Sequence, residues 1–296
     1  MATRISTQKP TSSAAATQRT GDASVSKDSR FSNDFKQWLQ THGYGKYAFA
    51  QGNVPAFGGK RTPGEKVTKE PVIFIHGNSD SAAGWKGSIE TFSKNGYKPS
   101  ELYAMTWGPA NPLQAANQHH SQEYLEEVRA FIQAVKEYTG AKKVDVIGHS
   151  MGVTLARKAI QGGDGFDPYA HSKFNLGKPL TDSVDTFVGI AGANHGLAAA
   201  LWTGDMVPTT NRTSGLHPDS AILKDLNAVN HDEGEHVYSI WSNVDEVVGV
   251  GLAGFTSPIP GQDGAKVYNT FPYGHMGLKN LTGEEQLAMV RDHQVR

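Results

Sequence analysis

The run VDVIGHSMGVTLARKAI at residues 144–160 joins a short apolar strand to a helical stretch through Gly148, His149, Ser150, Met151 and Gly152. No other segment narrows the possible folds as far. G-x-S-x-G between a strand and a helix makes a sharp turn that lifts a serine hydroxyl above a sheet edge, and the two glycines let neighbouring backbones approach. The helix N-terminus under the serine favours developing negative charge. A bare G-x-S-x-G also occurs as an ordinary glycine-bounded turn, so the flanking pattern carries the weight.

That pattern continues along the chain. Apolar strands are predicted at 71–75 (PVIFI), 102–107 (LYAMTW), 144–148 (VDVIG), 186–192 (TFVGIAG), 236–242 (HVYSIWS) and 266–271 (KVYNTF). Helical patterns fall near 82–95, 122–138, 151–161 and 284–291. In the second of these, Leu125, Val128, Ile132 and Val135 share one face, Ser121 is placed to cap the start, and Gly140 follows the end. Strands linked by helical crossovers imply an α/β protein, with a mainly parallel central sheet covered by helices on both faces. The Gly-, Pro-, Asp- and Asn-rich segments 162–183 and 197–235 read as loops over the sheet. Phe31, Phe35, Trp38 and Leu39 read as an amphipathic helix packed on the domain. Residues 1–30 are rich in Ser, Thr, Ala and Gln and predict a disordered leader, which leaves 31–296 as one catalytic domain. The leader has no apolar centre of a cleavable secretory signal.

Composition removes whole classes of chemistry. The chain has no cysteine, so thiol nucleophiles and thiolate metal sites are excluded and a nucleophile must be oxygen or nitrogen. Lysine and arginine total 28 against 29 acidic residues, which gives nucleic-acid binding no electrostatic basis. No apolar run is long enough for an integral membrane segment. Neither a phosphate-binding G-x-x-x-x-G-K-[ST] loop nor a G-x-G-x-x-G turn after a strand is present, so no nucleotide cofactor is expected. His119 and His120 are adjacent, and HDEGEH at 231–236 reads as a solvated acidic loop. Neither has metal-ligand spacing, and no catalytic metal is expected.

A serine hydroxyl needs a base, and the base needs an orienting acid. With the chain order Ser, Asp, His of this elbow, Asp245 lies three residues past the strand at 236–242 and His275 four past the one at 266–271. Glu246 is the rival acid, but Asp245 sits earlier on the turn. His195, in IAGANHG, is the rival base; it precedes Asp245 and breaks the order, so a loop-ordering or pocket-wall role suits it better. Two backbone N–H groups should face the developing oxyanion. Met151 follows the nucleophile, and Asn78 stands just past the first strand in HGN. His76 and His149 flank the site with no evident catalytic duty. The excursion after residue 192 brings Leu197, Leu201, Trp202, Met206 and Val207 ahead of a polar stretch, the mix expected of one wall of an acyl groove. The same residues are also consistent with simple packing on the sheet.

Seven ordered blocks, PVIFIHG, ELYAMTWG, TGAKKVDVIGHSMG, VGIAGANHGL, GLHPDSAILKDLN, YSIWSNVDEVV and GHMGL, run from Pro71 to about Leu281. In these the chain resembles α/β-hydrolases of the class 2 lipase group, which includes small bacterial lipases and has polyhydroxyalkanoate depolymerases as relatives. The resemblance implies an α/β-hydrolase fold and ester or lipid cleavage without a cofactor. It also implies Ser150 as nucleophile, Asp245 as acid, His275 as base, and Asn78 with Met151 as oxyanion donors. A lipase or esterase leads among the expected functions. A polyester depolymerase, a phospholipase and a non-catalytic binding scaffold of the same fold are the alternatives.

Overall fold

Alternation along each strand decides which layer its side chains enter. Ile73 and Ile75, Tyr103 and Met105, and Val144 and Val146 join one core, while Val72 and Phe74, Leu102 and Ala104, and Ile147 join the other. A sheet with both pleat faces apolar must be covered twice, and it is. The computed structural model describes residues 30–49 and 55–296. Six strands, β1 (Val72–Ile75), β2 (Leu102–Met105), β3 (Val144–His149), β6 (Val184–Ile190), β7 (His236–Ser242) and β8 (Gly264–Tyr268), form one sheet in the order β2-β1-β3-β6-β7-β8. Every neighbouring pair is parallel.

One face is covered by α1 (Asn33–Thr41), α3 (Gln122–Thr139), α4 (Met151–Gln161) and α6 (Ala221–Asn227). The other carries α2 (Lys86–Lys94), α8 (His275–Leu281) and α9 (Gly283–Asp292). Two one-turn helices, α5 (Ala200–Thr203) and α7 (Ala253–Thr256), lie in the loops after β6 and β7. The capping signals of α3 act as read: Ser121 Oγ accepts the Tyr124 N–H at 3.2 Å, and Gly140 takes φ +68°. None of the described helices is long and apolar enough to cross a membrane.

β1 leads to β2 on one side, and the chain then returns to lay β3 on β1's other side. The loops after β1 and β3 therefore leave the sheet in opposite directions and open a crevice between them, where ligands of open α/β sheets bind. Ser150 follows β3 and Asn78 follows β1, so the fold brings them to that crevice.

Several expectations need correction. Segment 162–183 is not only loop: β4 (Asp164–Asp167) and β5 (Ser172–Asn175) pair as an antiparallel hairpin, whose short, largely exposed strands carry little of the apolar signal that marks a core strand. Phe31 lies outside α1, because Ser32 is its N-cap and bonds the Phe35 N–H at 3.1 Å. Phe31 still packs inward, stacked on Phe131 at 5.8 Å. The 266–271 strand runs instead over 264–268, and an unforeseen helix, α8, starts at His275, so that histidine stands seven residues past its strand rather than four. The 231–236 loop is not simply solvated: Glu233 is buried on Arg157 at 2.7 Å, and that guanidinium also bonds Asn194, Asn227 and the Leu226 carbonyl. His119 and His120 are buried as well, bonded to the Ser214 hydroxyl and carbonyl respectively. The expected leader lies, except for Arg30, outside the described residues.

Candidate active site

Ser150 has φ +54° and ψ −128°, a conformation that a non-glycine residue holds only under compulsion. The compulsion is visible on both sides. Its N–H donates to the Ile190 carbonyl at 2.9 Å, and its own carbonyl accepts the Val153 N–H at 3.0 Å. A Cβ on Gly148 would lie 2.9 Å from Val153 Cα, and one on Gly152 would lie 2.6 Å from the Ile75 carbonyl and closer still to that of His76. The elbow is thus wedged against the end of β1. Its neighbours His149 and Met151 are buried while Ser150 keeps partial exposure. Gly152→Ala is accordingly expected to lower stability by roughly 1–3 kcal/mol through overpacking, a fall of several degrees in Tm. An unchanged melting curve would show that the elbow has slack.

The loop after β1 touches the serine directly, since a Cβ on Gly77 would stand 2.8 Å from Ser150 Cβ. His76 fixes this loop. Its ring stacks on Trp107 at 5.0 Å, its Nε2 accepts the Trp107 N–H at 3.0 Å, and its carbonyl accepts the indole N–H at 2.8 Å. The Asn78 side chain donates to the Ala115 carbonyl at 2.9 Å, the same oxygen that accepts the Thr209 hydroxyl at 2.6 Å. One carbonyl therefore ties the β1 loop to the excursion after β6. Met151 is the first residue of α4, and its N–H belongs to the set that a helix leaves without internal partners.

Asp245 is wholly buried three residues beyond β7. Its Oδ2 lies 2.9 Å and its Oδ1 3.1 Å from His275 Nδ1, and Oδ1 also accepts the N–H groups of Val247 and Val248 at 2.9 and 3.0 Å. Glu246, the rival acid, reaches a different atom: its Oε2 accepts the backbone N–H of His275 at 3.0 Å. His149 Nε2 donates to the His275 carbonyl at 3.1 Å, with the two rings 4.7 Å apart. Burial above all, with His275 and Lys279 nearby, holds His149 well below the usual histidine pKa, so it stays neutral beside the His275 ring. Lys279, one turn along α8 and buried, pairs with Asp80 on the β1 loop.

His195 is held by another loop, its main-chain N–H donating to the Thr256 carbonyl at 3.1 Å. It is half-buried against Phe255 at 5.6 Å, its Nδ1 has no hydrogen-bond partner, and burial lowers its pKa. Trp202 is 87% and Met206 76% exposed. The excursion therefore splits by side chain: Leu197 and Leu216 pack on the core, whereas Leu201, Trp202 and Met206 face out. Sequence reading missed the grip of Glu246 and His149 on the His275 backbone, because main-chain partners leave no spacing signature. The adjacency of Asp245 and Glu246 was the one visible hint. Among the described residues, one carboxylate group, Glu70, Asp145 and Asp185, is close enough to hold a cation. It lies at the amino ends of β1, β3 and β6, across the sheet from Ser150.

The family model described as lipase (class 2) matches residues 69–288. The mature Bacillus licheniformis lipase BlEst2 superposes with a TM-score of 0.55 at 16% identity, over 81% of this chain and 99% of that one. Aspergillus fumigatus lipase B gives 0.53 at 17%, over 77% of this chain and 53% of its own. A structure reported for the metagenome-derived lipolytic enzymes LipS and LipT gives 0.52 at 15%, over 77% and 96%. At such identities the superpositions speak for the α/β-hydrolase fold, and the family match carries the assignment: the chain is a hydrolase of the class 2 lipase family.

Proposed function

We propose that the protein cleaves carboxylic esters at a water-insoluble surface, with Ser150 as nucleophile, His275 as base and Asp245 as its orienting acid. The observation that carries the reading is the double contact of the buried Asp245 carboxylate with His275 Nδ1. It holds the proton on Nδ1 and leaves the Nε2 lone pair free to take the serine proton. Ser150 Oγ then adds to the acyl carbon, and the N–H groups of Met151 and Asn78 receive the oxyanion. Collapse of the adduct expels the alcohol with the proton from His275. Water, deprotonated by the same ring, releases the acid and restores the serine.

The rim suggests where this chemistry is used. Leu113 follows β2, Leu201, Trp202 and Met206 follow β6, Val250 and Phe255 follow β7, and Phe271 follows β8; each is at least 60% exposed. In a parallel sheet all these loops leave by the edge that carries Ser150. Large apolar side chains gathered there suit an acylglycerol or polyester surface better than a small soluble ester. A panel of p-nitrophenyl esters from acetyl to stearoyl, beside emulsified triacylglycerol, phospholipid and polyhydroxybutyrate films, tests this reading. Trp202→Ala and Met206→Ala are each expected to lower kcat/KM for long acyl chains by ~1 to 3 kcal/mol while sparing acetyl esters. Equal losses on short and long chains would assign these side chains to structure.

A further inference from the structure

We propose that Glu246 is a positioning residue for His275: its carboxylate fixes the backbone of the residue whose ring Asp245 orients. The inference rests on His275 being the base. Two adjacent carboxylates on one turn hold two different atoms of the same histidine, Asp245 at ring Nδ1 and Glu246 Oε2 at the main-chain N–H, 3.0 Å away. His275 opens α8, so that N–H lacks an intrahelical acceptor, and a carboxylate there also meets the positive end of the helix. Gly274 makes room for the contact, because a Cβ at that position would lie 2.5 Å from Glu246 Oε2.

Asp245 alone cannot place the ring. Its bond to Nδ1 fixes a direction, but the ring can still move on its own backbone. Glu246 from one side and His149, bonded to the His275 carbonyl at 3.1 Å, from the other hold the peptide units flanking the ring. The Lys279–Asp80 pair and buried Leu278 anchor the next turn independently. Losing the Glu246 contact should therefore free the first turn of α8 without unfolding the helix, and the displacement falls on the proton-transfer step.

The test compares Glu246→Ala with Glu246→Gln, correcting rates for active enzyme by fluorophosphonate titration. Alanine is expected to lower kcat about 10- to 100-fold with KM changed less than about twofold, because a misplaced base weakens the transition state more than substrate binding. Glutamine keeps an acceptor for the His275 N–H and is expected to recover most of kcat. A purely structural role would lower Tm and the titrated active fraction while leaving kcat per active site unchanged. Wild-type kcat per active site in the alanine variant overturns the proposal, as does a folded glutamine variant with kcat as low as alanine's; should alanine fail to fold, Glu246→Asp, whose carboxylate is withdrawn by one methylene, decides instead, and wild-type kcat there overturns the proposal too. Wild-type activity in His275→Ala would instead refute the choice of base on which the inference rests.

Discussion

Ser150→Ala is expected to abolish ester hydrolysis, with a rate on the order of 10⁵-fold or more below wild type, while the protein stays folded. The size follows from the mechanism: without Oγ no acyl-enzyme forms, and only substrate binding and the oxyanion donors remain. Folding should survive because Ser150 makes no side-chain capping bond, and its unusual backbone is set by the Ile190 and Val153 contacts, which alanine keeps. Circular dichroism and hydrolysis of a medium-chain ester check both halves. A variant turning over at a tenth of the wild-type rate would exclude Ser150 as nucleophile.

His275→Ala should cost nearly as much, since it removes the proton acceptor itself. Asp245→Asn should be milder, on the order of 10⁴-fold, by a different route. Oδ1 already accepts the Val247 and Val248 N–H groups, so an asparagine keeps its oxygen there and turns its NH₂ towards Nδ1. That favours the tautomer protonated on Nε2, which cannot accept the serine proton. His195→Ala should leave turnover largely intact, because its ring packs on Phe255 while both oxygens of Asp245 are taken up with His275 Nδ1. Loss of activity in His195→Ala with retention in His275→Ala would reverse the choice of base.

Most of the fold was legible because its signals are local. The glycines at 148 and 152 announced close backbone contacts, which the structure places against Val153 at the start of α4 and against the end of β1 respectively, and the strand at 236–242 appears with the bounds its apolar run suggested. The β4–β5 hairpin escaped because its side chains are mostly wet and show no core periodicity. α8 escaped for a related reason: GHMGLKN offers few apolar residues and a glycine within the helix, and its start is fixed from outside by Glu246. The same limit applies to the site. Residue types and chain order marked Ser150, Asp245 and His275, with Asp245 preferred to Glu246 for its earlier place on the turn, whereas the reach of Glu246 to the His275 main chain depends on how the turn at 244–248 folds and leaves no trace in residue order. Trp202 and Met206 were read as either groove wall or packing, and their exposure disfavours packing.

In the proposed mechanism one activated serine, at the crevice between β1 and β3, performs the chemistry. The most direct measurement is labelling with a fluorophosphonate, which reacts only with a serine whose proton a nearby base removes, followed by peptide mass spectrometry. One label per chain is expected, on Ser150, with parallel loss of ester hydrolysis and no labelling in Ser150→Ala. Labelling should slow by orders of magnitude in His275→Ala. A label on any other residue, or full ester hydrolysis by the quantitatively labelled protein, would contradict that mechanism.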